Sequence, residues 1–356
     1  MPKRLPVVES RVAVYDAIPE RPHEWGRDGL PQLVDGAGRT YRYLRLSVTD
    51  RCDLACIYCM PPSGEQEHAL RNELLTFEEL ARVVQLLARM GIRRVRFTGG
   101  EPLVRKDFVG LVELIARTTH VRELALTTNA MRLAALAQPL HRAGLRAVNV
   151  SLDSLDPERF ARLTRGGDLA QVIAGIDAAL ELGWNVKINI VALRGETDDE
   201  APRIVDWAWA RGITPRFIEL MPLGEGALLD PSMRVTAAEI QHRLGDRIGA
   251  SVDAERDRGP ATYLGNPARR VGFITPLSHE FCDTCNRVRI TAQGDIRACL
   301  ASRRALSLRD CMRAGGDDAE LAWLLWTAVR GKAPGHAFLD PRETEHTQVG
   351  MSLIGG

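Results

Sequence analysis

Three cysteines, Cys52, Cys56 and Cys59, stand in the string Cys52-Asp-Leu-Ala-Cys56-Ile-Tyr-Cys59, with the spacing C-x3-C-x2-C. Three thiolates on a short loop can wrap one corner of a cubane iron–sulfur cluster. A closed structural zinc site wants four ligands, and no fourth cysteine is near. Three ligands leave one iron open, and an open iron can bind and reduce a small molecule. The rival readings are zinc completed by a distant residue, or three unrelated buried thiols.

A second set, Cys282, Cys285 and Cys299, has the spacing C-x2-C-x13-C, with two thiols on one turn and the third at the far end of an expected hairpin. A second open cluster fits, and so does zinc. Cys311 would complete a C-x2-C-x13-C-x11-C ribbon, and spacing alone leans to zinc. Against it, Cys311 sits in the helical string Leu-Arg-Asp-Cys-Met-Arg and reads as a partly buried thiol. Clustered, odd-numbered cysteines suit metal binding in a reducing compartment rather than disulfides.

Other residues are out of place unless they meet a ligand. Gly99-Gly100-Glu101-Pro102 follows a strand-like run, and its glycines would let a ligand approach the backbone closely. A lone run of this kind is a tight turn; after a cysteine loop it gains weight. Arg45, Arg96 and Lys187 fall inside expected strands of a parallel sheet, which are mostly buried. An anion inside the fold explains them. Arg287 and Arg289 stand beside the second cysteine set, and Thr127 closes another strand. No GxxxxGK[ST] string exists, so a Walker phosphate loop is excluded.

These residues need elements to hold them. Expected strands at Tyr43–Val48, Arg94–Thr98, Glu123–Thr127, Ala147–Leu152, Val186–Ala192 and Pro215–Leu220 alternate with amphipathic segments at 76–90, 107–117, 131–143, 168–182 and 199–211. Thr76 and Glu79 have capping-box spacing. Asp156-Pro157 and Asp198-Asp199 read as further helix starts, and Gly91, Gly144, Gly183 and Gly212 as helix C-caps. Serial β-α units imply a parallel sheet with helices outside. The fold class is α/β: an incomplete (β/α)6 TIM-like barrel, with a C-terminal α+β region closing its open side. In such folds ligand chemistry gathers at the C-terminal ends of the strands. The chain divides into a flexible extension at 1–35, a partial barrel at 36–222 and a C-terminal region at 223–356. That last region carries strands at 262–275 and 287–298 and helices at 304–313 and 318–330. Forty-seven Lys and Arg balance 46 Asp and Glu, so no broad basic field for nucleic acid exists. No run of about 20 apolar residues and no secretory h-region is found. A cytoplasmic enzyme without membrane attachment is expected.

The C-x3-C-x2-C loop, with Tyr58 as the aromatic before its last cysteine, resembles the radical S-adenosylmethionine enzymes. The string Cys285-Asn286-Arg287-Val288-Arg289, the second cysteine set and the terminal Gly355-Gly356 resemble the GTP 3′,8-cyclases of molybdenum cofactor biosynthesis, and the likeness runs from about Leu33 to Gly356. The resemblance implies two [4Fe–4S] clusters, one on each cysteine set. It implies S-adenosylmethionine held by Tyr58, Gly100, Ser151 and Met221. GTP would be met by Arg45, Arg96, Thr127, Lys187, Arg287 and Arg289. A 5′-deoxyadenosyl radical would take the 3′ hydrogen of GTP and lead to closure of C3′ on C8. Arg45 and a Gly355-Gly356 tail reaching into the active site would serve catalysis. The implied partners are GTP, an electron donor and, by product transfer, a downstream cyclic pyranopterin monophosphate synthase; such enzymes are commonly homodimers. Two rivals remain: another radical enzyme with an auxiliary cluster, such as a peptide modifier, and a non-catalytic zinc protein.

Overall fold

The computed structural model describes residues 29–61, 63, 68–249, 251–252, 259–301, 305–336, 338 and 350–354. In chain order the elements are β1 Tyr43–Ser47, α1 Phe77–Arg89, β2 Arg94–Thr98, α2 Phe108–Thr118, β3 Glu123–Thr128, α3 Leu133–Arg142, β4 Ala147–Ser151, α4 Pro157–Thr164, α5 Leu169–Glu181, β5 Asn185–Ala192, α6 Ala201–Trp209 and β6 Thr214–Glu219. There follow α7 Ala237–Leu244, β7 Ser251–Val252, β8 Thr262–Asn266, β9 Arg269–Ile274, β10 Arg287–Ile290, β11 Asp295–Arg297, β12 Leu306–Ser307, α8 Leu308–Arg313, α9 Asp318–Arg330 and α10 Met351–Ile354.

One twelve-stranded sheet runs β12-β11-β10-β1-β2-β3-β4-β5-β6-β9-β8-β7. Strands β1 to β6 pair in parallel as sequence neighbours. The C-terminal strands extend the same sheet rather than forming a separate layer. Strand β10 joins β1 and β9 joins β6, both in parallel, and each continues into antiparallel strands. Among the described residues no ladder links β7 to β12, so the barrel is open.

Each parallel strand is amphipathic across its two faces. Leu44, Leu46, Val95, Phe97, Val148, Val150, Ile188 and Ile190 are fully buried in one apolar cluster with the helices. The alternate positions, among them Arg45, Arg96, Asn149 and Lys187, line a central cavity. The period of two lets one strand serve an oily outer layer and a polar interior.

The helix ends follow the local chemistry. Thr76 and Glu79 close the expected capping box on α1. Asp156 accepts from the Arg159 N–H, and Asp168 from those of Ala170 and Gln171. Gly91, Gly144, Gly183 and Gly212 all take positive φ after helices, as the C-cap reading requires. Asp198-Asp199 does not start α6. Glu200 is the cap residue, and Asp198 instead accepts from the Gly195 N–H at 2.7 Å and pairs with Arg243 at 2.5 Å. Helix α4 begins at the expected Asp156-Pro157 start; α7, also of only eight residues, was absent from the expected pattern, because two turns hold too few apolar repeats to register.

Residues 29–35 differ from a flexible extension. Leu33 is fully buried in the core and Asp35 is buried as well. Asp35 satisfies Tyr41 and Arg39, and this anchors the segment.

Candidate active site

The first cysteine loop leaves the C-terminal end of β1. Its backbone is gripped from two sides. The Gly100 N–H donates to the Thr49 carbonyl, and the Glu101 N–H to that of Arg51, both at 2.8 Å. A Cβ on Gly100 would lie 2.3 Å from the Arg51 carbonyl oxygen, and one on Gly99 2.3 Å from that of Thr49. The close approach that these glycines permit is therefore to the cysteine loop itself. From the other side, Ala55 and Ile57 N–H groups donate to the Thr164 and Leu163 carbonyls at the end of α4. Arg165 Nη1 then reaches the carbonyls of Ala55, Met60 and Pro61 at 3.1, 2.9 and 2.7 Å. Arg165→Ala removes a charged donor to three carbonyls and is expected to cost about 2 kcal/mol of stability, read by urea unfolding. It should also reduce the iron the loop retains.

Cys52, Cys56 and Cys59 line the cavity. Burial, then nearby negative groups, push the Cys52 thiol up to about 12 and the Cys56 thiol well above its ordinary range. Such a set is costly to ionise alone and is suited to sharing a cationic centre, which removes the penalty. Three soft donors in a pocket with open space beside them fit a cluster with one free iron. Tyr58 donates to Asp153 Oδ2 at 2.6 Å, and the Val191 N–H donates to Asp153 Oδ1 at 2.8 Å. Burial raises the Asp153 carboxyl to about 6. Glu101, also buried, accepts from Leu103 N–H, Thr128 hydroxyl and Asn129 N–H at 2.7 to 2.9 Å. Its burial raises it to about 7 while these donors pull it down.

The strand register arranges the polar interior in rows. Arg289, Arg45 and Arg96 are direct partners on β10, β1 and β2. Thr127, Asn149 and Lys187 form a row on β3, β4 and β5, and Ser151, Asn189 and Arg216 one on β4, β5 and β6. Burial, then the facing Arg289, hold the Arg45 guanidinium well below its usual range. Burial, then Arg287, bring Arg289 down to about 10. Arg96 donates to the Tyr43 hydroxyl and to the Leu126 carbonyl. The Thr127 hydroxyl is buried and has no partner among the described residues. Cations brought together against burial and mutual repulsion make a receptor for a multiply charged anion.

The second cysteine set sits at the opposite mouth. Cys285 lies two residues before β10, whose first residue, Arg287, is level with Tyr43 at the start of β1. Cys282, Cys285 and Cys299 all line the cavity. The second set thus lies away from the C-terminal strand ends, where ligand chemistry was expected to gather: β10 runs parallel to β1, so a loop entering it lies at the other end. The length of β1, five residues, separates the two mouths by roughly 13 Å at ~3.3 Å per residue. Cys311 takes no part. It is buried in the core between α8 and α9, where a Cβ on Gly316 would lie 2.4 Å from its sulfur. The four-cysteine ribbon is therefore not formed.

Every expected site residue within the described segments lines this one cavity of about 560 Å³: both cysteine sets, Tyr58, Gly100, Ser151, Met221, Arg45, Arg96, Thr127, Lys187, Arg287 and Arg289. Gly355 and Gly356 lie outside the described residues. Sequence reasoning missed Arg216, whose Nη2 donates to Asn189 Oδ1 at 2.6 Å. Gly272 opposite it on β9 leaves the room, since a Cβ there would lie 2.7 Å from Arg216 Cγ. The signal was present as the polar alternation Asn149/Ser151, Lys187/Asn189, Arg216. Arg165 and Asp153 carried no such mark.

Comparison with known proteins now bears on this cavity. Residues 46–208 match the Radical SAM superfamily, and residues 213–338 match Molybdenum Cofactor Synthesis C. A protein of Caulobacter vibrioides named GTP 3′,8-cyclase is 43% identical over 331 residues, covering 92% of this chain and 94% of that one. One of Pseudomonas aeruginosa, named GTP 3′,8-cyclase 1, is 42% identical over 332 residues, covering 92% of this chain and 100% of its own. Among solved structures, Streptococcus suis SuiB bound to S-adenosylmethionine superposes with a TM-score of 0.56 at 17% identity, over 82% of this chain and 68% of that one. That likeness concerns the fold.

Proposed function

The chain belongs to the GTP 3′,8-cyclase family of radical S-adenosylmethionine enzymes, and from this premise we propose that its cavity holds S-adenosylmethionine at one mouth and GTP between the two cysteine sets. The reaction joins C3′ of the ribose to C8 of guanine, giving (8S)-3′,8-cyclo-7,8-dihydroguanosine 5′-triphosphate, the first step of molybdenum cofactor biosynthesis. Cys52, Cys56 and Cys59 would hold a [4Fe–4S] cluster, which would supply the one-electron reduction that cleaves S-adenosylmethionine; the 5′-deoxyadenosyl radical so released would take the 3′ hydrogen of GTP.

The protein's own residues bind, orient and shield. Tyr58, Gly100, Ser151 and Met221 are the proposed cofactor contacts, and all border the first cysteine loop's end of the cavity. The row Arg289–Arg45–Arg96, with Lys187, Thr127 and Arg287, is the proposed seat of GTP. Arg45, at the centre of that row, would keep the ribose aligned with the radical. We further propose a second [4Fe–4S] cluster on Cys282, Cys285 and Cys299, whose open iron would take the guanine. The observation that carries this reading is the position of the arginine row between two three-cysteine mouths of one cavity. An external electron donor and transfer of product to a cyclic pyranopterin monophosphate synthase complete the proposal.

The test is reconstitution with iron and sulfide without oxygen, then dithionite, S-adenosylmethionine and GTP. 5′-Deoxyadenosine and a cyclised GTP product should form in step. 5′-Deoxyadenosine without consumption of GTP would overturn the substrate. Zinc without iron would overturn the reading altogether. Deleting Gly355 and Gly356 is expected to leave iron content intact and abolish cyclisation. Full activity of the truncated protein would remove the tail from the mechanism.

A further inference from the structure

The second cysteine set has a neighbour that the substrate reading does not use. Lys332, in the turn after α9, places its Nζ 3.1 Å from Cys285 Sγ. Arg287 Nη2 donates to the same sulfur at 3.4 Å. The lysine is held where it is. Its Nζ lies 4.9 Å from the centre of the fully buried Tyr41 ring. Tyr41 in turn donates to Asp35 Oδ2 at 2.9 Å.

The same carboxylate organises the backbone around the cysteines. Arg39 Nε pairs with Asp35 at 2.5 Å. The Arg39 guanidinium then donates to the Cys282 carbonyl at 2.6 Å and to those of Pro334 and Ala333 at 2.9 and 3.0 Å. One buried Asp–Arg pair therefore joins the Cys282 turn to the segment just after Lys332. Asp35, Arg39 and Tyr41 all precede residue 46, where the match to the Radical SAM superfamily begins.

We propose that Lys332 is a positioning residue that raises the reduction potential of the cluster on Cys282, Cys285 and Cys299 by donating to the Cys285 sulfur, with Asp35, Arg39 and Tyr41 fixing it there. This rests on the reading of those three cysteines as cluster ligands. Reduction adds negative charge to a cluster, so a fixed cation and an N–H···S bond at a ligand sulfur favour the reduced form.

The experiment is a redox titration followed by electron paramagnetic resonance, on reconstituted full-length protein without GTP or S-adenosylmethionine. Cys56→Ala protein identifies the signal of the second cluster. Lys332→Met is expected to keep wild-type iron and sulfide, lower the midpoint of the second cluster and leave that of the first unchanged. Lys332→Arg should restore most of the shift, because it returns a cationic donor. An unchanged midpoint in Lys332→Met overturns the proposal. So does loss of the second cluster in both variants, which would make Lys332 an assembly residue. If wild-type protein holds the iron of one cluster only, the cluster reading itself fails, a result separate from either of these.

Discussion

Cys56→Ala is expected to reduce 5′-deoxyadenosine formation to background while leaving the fold intact. Cys56 is the central thiol of the first set, and it lines the cavity with Cys52 and Cys59. With two thiolates the loop cannot hold a cubane by three corners. The change is small and leaves the loop's supports in place. Those supports are backbone hydrogen bonds from Ala55 and Ile57 and the Arg165 contacts, none of which uses the Cys56 side chain. Circular dichroism and melting temperature should therefore stay near wild type, whereas iron falls by the share of one cluster. GTP should still bind, since the arginine row is untouched; equilibrium dialysis would show it. Turnover above background in this variant would exclude the loop as the site of S-adenosylmethionine cleavage.

Gly100→Ala should have a comparable effect on activity by a different route. The added methyl would lie 2.3 Å from the Arg51 carbonyl oxygen, 2.5 Å from its carbon and 2.9 Å from the Asp50 carbonyl oxygen. All three atoms belong to backbone, so no rotamer change relieves the contact. The cysteine loop must move away from β2. Such overpacking typically costs roughly 1–3 kcal/mol, and the displaced atoms lie next to Cys52. Loss of the first cluster and of 5′-deoxyadenosine is expected even though no ligand residue changes. Gly110→Ala is the matched control. Gly110 is exposed on α2, and a Cβ there meets nothing within 4 Å. The same substitution should stabilise the protein by roughly 0.5–1 kcal/mol through helix propensity, with iron and activity unchanged. Equal behaviour of the two variants in iron retention would show that the contact with Arg51 is not what holds the loop.

The two glycine positions illustrate where a sequence reading stops. Gly99-Gly100 stands out in a string, and close approach is the right inference from two adjacent glycines. The partner is another stretch of backbone, brought there by the pairing of β1 with β2. No local feature of either segment names the other.

The amino-acid sequence by itself marked most of the barrel elements, and the cysteines and basic residues that the structure brings to one cavity. Helix starts at Thr76, Asp156 and Asp168 are legible because a cap is a contact between residues three apart. The six strands are legible because a strand is a local period. The two cysteine sets and the basic strand positions are legible because their chemistry makes them conspicuous wherever they fall. Arg216 was as basic as Arg96 yet passed over, although the polar alternation it continues was there to be read.

Tertiary structure alone decided how these pieces face one another. The pairing of β10 with β1 aligns Arg289 with Arg45 and carries the second cysteine set to the opposite mouth of the barrel. Packing of α8 into the apolar core keeps Cys311 off the cavity that the other three C-terminal cysteines line, a distinction that spacing left open. The pairing of β9 with β6 supplies Gly272 and so the room for Arg216. The link from Asp35 through Arg39 to Cys282 bridges the 243 positions of chain between Arg39 and Cys282. The physical reason is common to all of these. Caps and periods are satisfied within a few residues, whereas strand order and long-range pairing are set by which apolar faces can be buried together, a property of the whole chain.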